Sequence, residues 1–130
     1  MREGKLRCGR NGERGQATVE FALVLPLVVF FALVALQLGV IAKDLVLVHH
    51  AAREGARAAA VEPTGGAARA AAVGSSSLDS GRLSVSLSGG TARGSETTAT
   101  VTYSAPTSVP LVGVLVPDVS LRASVTMRVE

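Results

Sequence analysis

Hydrophobicity along this 130-residue chain changes period once and leaves three kinds of segment. Residues 21–42 contain no Lys, Arg, Asp, Glu or His, and Gln37 is their one strongly polar member. At about 1.5 Å per residue, this run makes a helix about 33 Å long, enough to cross the hydrocarbon core of a bilayer. Pro26 falls inside the run and is expected to bend the helix or loosen one backbone bond, which membrane helices tolerate. Helical spacing continues past the run. Residues 43–61 contain no proline and one glycine, and are dense in Ala, Leu and Arg. Leu45, Val48, Ala52, Gly55 and Ala59 recur at intervals of three and four and form an apolar stripe, small in its far half. Pro63 and Thr64-Gly65-Gly66 end the pattern. The spacing predicts one helix from about residue 18, with Thr18 capping its first turn, to about residue 61.

Period two then replaces period 3.6. Residues 67–73 are alanine-rich and long enough for two helical turns, and Gly74-Ser75-Ser76-Ser77 forms a loop. Leu83, Val85 and Leu87 alternate with serines. Ala99, Val101 and Tyr103 alternate with Thr and Ser, and Leu121, Ala123, Val125, Met127 and Val129 with Arg, Ser and Thr. These are three half-buried strands with one wet face each, and Tyr103 belongs to the core. Residues 111–116 are apolar, and the sequence leaves both a fourth strand and a loop resting on the sheet open. Three short strands bury little alone, so the small-residue stripe on the helix is their expected partner. The fold class is α+β: a long N-terminal helix, part transmembrane and part exposed, packed by a small three- to four-stranded antiparallel sheet. The expected divisions are a basic, unstructured leader (1–15), a transmembrane helix (16–42), an exposed helical extension (43–62) and a small β domain (63–130).

Charge fixes the expected orientation. Arg2, Lys5, Arg7, Arg10 and Arg14 precede the apolar run, whereas Lys43, Arg53 and Arg57 follow it. The excess of cations marks the cytoplasmic side, which puts the N-terminus inside and the β domain outside the cell. The net charge of +3 resides in residues 1–15, since the remainder balances eight cations with eight acids. The high pI therefore reads as a topology signal, not as a nucleic-acid surface. Cys8 is the one cysteine and precedes the run, so it forms no intramolecular disulfide. Removal as an ordinary secretory signal fits poorly. The apolar region is too long, and Val40-Ile41-Ala42, which would leave Lys43 as the new terminus, is a weak cleavage site.

Gly15-Gln16-Ala17-Thr18-Val19-Glu20-Phe21 opens directly into the run and places one carboxylate at the mouth of a membrane-length helix. An ionised acid there needs a partner or a function. With the basic leader, Pro26 and Ala51-Ala52-Arg53-Glu54-Gly55-Ala56-Arg57-Ala58-Ala59-Ala60, this segment resembles type IV prepilins. It resembles more closely the TadE-like proteins, minor pilins or pseudopilins of tight-adherence (Flp) pilus systems. The resemblance covers residues 14–61. Phe21 departs from the tyrosine usual after the glutamate in this pilus class. The resemblance implies a pilin-like fold and cleavage between Gly15 and Gln16 by a membrane prepilin peptidase on the cytoplasmic side. It also implies pairing of Glu20 with the new Gln16 amine, often on a neighbouring subunit, and assembly with other pilins, pseudopilins and pilus platform proteins. Arg53, Glu54, Gly55 and Arg57 are then helix–sheet packing residues. Gly55 permits close approach, and Glu54 pairs with His50 or Arg57. Two plainer readings stay open: Glu20 as an interfacial residue reaching water, and Gly15 as a flexible joint. With them stands an alternative function, that of an unprocessed single-span protein whose exported β domain binds an envelope partner.

No nucleophile–base pair, paired carboxylates or phosphate loop appears, so neither catalysis nor a small-molecule substrate is expected. Scarce aromatics argue against nucleic acid. His49-His50 are adjacent on a helix, point about 100° apart and lack further ligands, so neither a metal nor a cofactor is expected. Gln37 is a candidate for a hydrogen bond to a neighbouring helix.

Overall fold

The computed structural model describes residues 11–130, with side chains from residue 15. Most of the expected leader, with Cys8 and four of its cations, lies outside the described residues. Helix α1 (Asn11–Val61) runs unbroken for 51 residues through Pro26. It starts earlier than expected. Residues 11–15, read as unstructured, are helical, and Thr18 lies inside the helix rather than at its cap. Glu13 and Arg14 are good helix formers, and extending an existing helix backwards avoids the cost of a new nucleus. At the far end the Glu62 amide still reaches the Ala58 carbonyl at 2.8 Å before Pro63 ends the pattern.

Helix α2 (Gly65–Gly74) is one turn longer than expected. Thr64, in extended backbone, caps it by accepting a hydrogen bond from the Ala67 amide at 3.2 Å. The sheet is an antiparallel meander in the order β1 (Leu83–Gly89), β2 (Glu96–Ala105), β3 (Val119–Arg128). Its register lines up Leu83, Tyr103 and Leu121, then Val85, Val101 and Ala123, then Leu87, Ala99 and Val125, all on the face toward the helices. The opposite face carries hydroxyl pairs: Thr98 with Thr126 at 2.7 Å and Thr100 with Ser124 at 2.9 Å. Gly89 (φ +112°) leaves β1, and a Cβ there would collide with the Glu96 carbonyl, so this hairpin end requires glycine.

Residues 111–116 form neither a fourth strand nor a plain loop. They contain a single helical turn, α3 (Val112–Leu115), between Pro110 and Pro117. The sheet thus stops at three strands. Leu111 at φ +69° and the helical turn after it take the run out of extended backbone, so no further strand forms there.

The core gathers Val48, Ala51 and Ala52 from α1, Ala72 from α2, and Leu83, Val101, Tyr103, Ala105, Leu121 and Ala123 from the sheet, with Leu78 from the loop. Val48, Ala52, Gly55 and Ala59 of the expected stripe are buried, but Leu45 is 39% exposed and Asp44 is only 5% exposed. The true inward face follows Gln37, Ile41, Asp44, Val48, Ala52, Gly55 and Ala59, a 3.6-residue period that two polar residues conceal.

Candidate functional site

The stem's mouth is bare. From Gly15 to Val29 every side chain of α1 is exposed, and nothing approaches within 4 Å of where a Gly15 Cβ would stand. Gln16 and Glu20 lie four residues apart on one face, and the Gln16 side-chain amide donates to a Glu20 carboxylate oxygen at 3.3 Å. A neutral amide is thus the carboxylate's partner in the uncut chain. Phe21 projects outward beside them.

The Arg53-Glu54-Gly55-Ala56-Arg57 segment divides its faces. Arg53 and Arg57 are exposed, Glu54 is half-buried, and the expected pairs of Glu54 with His50 and Arg57 do not form among the described residues. Gly55 faces α2 and not the sheet. A Cβ would lie 3.2 Å from the Ala68 carbonyl oxygen and 3.6 Å from the Ala72 Cβ. The reason is geometric: α2 occupies the Gly55 face of α1, and the sheet joins the core through Val48, Ala51 and Ala52. The His49 ring bonds the Leu45 carbonyl at 2.9 Å. Among the described residues no group of three His, Cys, Asp or Glu side chains is placed to hold a metal.

Sequence reasoning missed a junction between stem and domain. The 106–117 connection folds down beside α1, and the Val109 amide donates to the Gln37 side-chain oxygen at 3.4 Å. Gln37, expected to bond a neighbouring helix, is instead covered by its own chain and 3% exposed. Asp44, the other polar residue on this face, is met by Lys43 at 3.2 Å. The polar residues on the inward period were the available signal.

Asp118 fixes the end of this connection. Its carboxylate takes a hydrogen bond from Arg82 at 2.8 Å and another from the Thr107 amide at 3.2 Å. The Arg82 bond first, and the Thr107 bond second, hold its pKa below the usual carboxylate range. A depressed folded-state pKa adds stability that is complete above the unfolded value, about 3.9, and is lost as pH falls through the folded one. Asp118→Ala is expected to lower the hydrogen-exchange protection factor of the Thr107 amide severalfold at neutral pH. Acidification of the wild type from about pH 4 downward should lower it likewise once the slower intrinsic exchange in acid is divided out.

These features define an α+β protein with one helix long and apolar enough to cross a membrane (Gly15–Val61) and a compact sheet at its far end. Residues 15–57, the stem and most of its extension, are similar to the family described as TadE-like protein. The matched region covers about a third of the chain and none of the sheet. No curated protein and no solved structure matches the chain.

Proposed function

We infer that the protein is a minor pilin or pseudopilin of a tight-adherence pilus, cut between Gly15 and Gln16 by a prepilin peptidase and assembled through α1. The supporting observation is the spacing of Gly15 and Glu20 at the mouth of a membrane-length helix, inside the TadE-like segment. Apart from α1's own backbone, nothing lies within 4 Å of where a Gly15 Cβ would stand, so the rest of the fold does not screen this position. Cutting replaces a peptide bond with a cationic amine on Gln16, about 6 Å of helix rise from Glu20. A charged donor is a stronger partner than the neutral Gln16 amide, and Glu20 is exposed for an amine on a neighbouring stem. Such pairing offsets the carboxylate's cost at the bilayer and sets the stagger between subunits. Arginine and lysine before the span orient the N-terminus to the cytoplasm and the sheet outward. The partners are then the peptidase, other pilins and the platform proteins, with the stem in lipid before extraction.

The test is the mass of the N-terminus in protein purified from its native host. A chain beginning at Gln16 supports this reading. An uncut leader on functional protein leaves an anchored, unprocessed surface domain, and a start at Lys43 means ordinary signal cleavage.

A further inference from the structure

The bare part of the stem is too short to cross a bilayer alone. Among the described side chains, contact with the domain begins at Phe30, which leaves residues 15–29 free. They rise about 22 Å, against a hydrocarbon core of about 30 Å. The remaining crossing, through Ala42, is made with α3 alongside. Val112, Leu115 and Val116 enclose a cavity of about 140 Å³ with Phe30, Val34 and Ile41 of the span. Gln37, which holds this connection through Val109, lies about 9 Å of helix below Lys43, the first cation after the run.

The connection's chemistry suits that depth. Residues 106–117 carry no charge. Leu111, Val114, Leu115 and Val116 are all exposed, Val114 by 88%, and continue the apolar surface of the stem. Several of its backbone donors are absent or paired, which lowers the cost of immersion. Pro106, Pro110 and Pro117 have no N–H. The Thr107 amide donates to Asp118, the Val109 amide to Gln37, the Gly113 amide to the Val109 carbonyl at 3.1 Å and the Val116 amide to the Val112 carbonyl at 2.9 Å. A Cβ on Gly113 would come within 2.6 Å of the Thr107 carbonyl oxygen, so the tight closure depends on glycine. The first charges beyond it, the Arg82–Asp118 pair, sit where the chain returns to the sheet.

The geometry points to the 106–117 connection as a second membrane contact, immersed in the leaflet on the domain side with Leu111, Val114, Leu115 and Val116 against lipid acyl chains. It shields Gln37 from hydrocarbon and fixes how deep the domain rides. This rests on α1 spanning the membrane and not on the pilus reading.

The test uses the full chain with Cys8→Ser, reconstituted in phosphatidylcholine–phosphatidylglycerol vesicles. A polarity-sensitive fluorophore is placed on a single cysteine at Leu25 (stem), Val114 (connection) or Ser88 (exposed, at the opposite end of the sheet). Val114 should match Leu25, with strong quenching by doxyl-labelled lipid and loss of the aqueous iodide quenching seen at Ser88. Iodide quenching of Val114 equal to Ser88, with Leu25 still quenched by lipid, overturns the inference and leaves the span intact. Iodide quenching of Leu25 as well removes the span and the inference together. Protection of Val114 from both quenchers assigns the surface to another protein chain, a second copy included, and overturns lipid as its occupant.

Discussion

Gly15→Leu is expected to keep the chain uncut in the membrane and to abolish its assembly. The substitution is sterically free in the folded chain, because nothing lies within 4 Å of the added Cβ. Leucine is also the better helix former, by about 0.5–1 kcal/mol. Folding and insertion therefore have no reason to suffer, and any defect belongs to processing. Two effects act against the cut. Gly15 lies within α1, and a peptidase needs an extended backbone, so the helix must open locally at Gly15 and Gln16. Glycine lowers the cost of that opening. Leucine raises it by up to about 1 kcal/mol, roughly a fivefold loss of the open form. On the proposed cleavage, the larger side chain must also be accommodated where the peptidase would meet Gly15. Glu20→Leu should behave in the opposite way. It removes a carboxylate from the edge of the span, so insertion and cutting persist, while the partner for the Gln16 amine is gone and assembly fails. Immunoblots of membrane fractions, N-terminal masses and surface pilus counts separate the two variants. Gly15→Leu protein trimmed to Gln16 at the wild-type rate overturns the cleavage assignment, and normal pili from Glu20→Leu overturn the pairing.

Much of the architecture is carried by local pattern. The apolar run and the small stripe after it are periodic over many turns, so the long helix and its stop at Pro63 are readable without a structure. The strands are readable because alternation fixes which side chains share a face, Leu83, Tyr103 and Leu121 among them, while their exact pairing comes from the structure. The spacing from Gly15 to Glu20 is linear and legible, and the Gln16–Glu20 hydrogen bond follows from it at i,i+4. What escaped is tertiary. Six apolar residues between prolines fit strand, loop or helical turn equally well. The choice was made by Leu111 at φ +69°, Gly113 against Thr107, and a bond from Val109 to a glutamine 72 residues away. The inward face of α1 was misplaced by one position near its middle. Asp44 is polar and reads as outward, yet the helical period puts it inside and leaves Leu45 exposed.

Tyr103→Ala should strongly destabilise the sheet domain while leaving the stem's membrane association unchanged. This core has little bulk to spare. Five of its eleven buried members are alanines, and the largest wholly enclosed side chains are Val48 and Val101. Tyr103 supplies the one aromatic ring outside the stem. It sits on the central strand between Leu83 of β1 and Leu121 of β3, 5% exposed. Truncating a buried aromatic to alanine costs about 3–5 kcal/mol, part lost transfer energy and part cavity. The surrounding alanines have no rotamers with which to fill the hole. Small domains hold only about 5–15 kcal/mol in total, so the loss takes a large share of the stability. For a domain of this size it corresponds to a fall of more than about 12 °C in Tm. Tyr103→Phe keeps the ring and should lose no more than about 1.5 kcal/mol. The measurement is thermal unfolding of the full chain in detergent, with tryptic cleavage at Arg122, on β3, as a local report. Carbonate extraction should show both variants retained in the membrane to the same extent, because the apolar run of α1 does not depend on Tyr103. A Tyr103→Ala melt within a few degrees of wild type would mean that the helices, not the ring between the outer strands, hold the sheet in place.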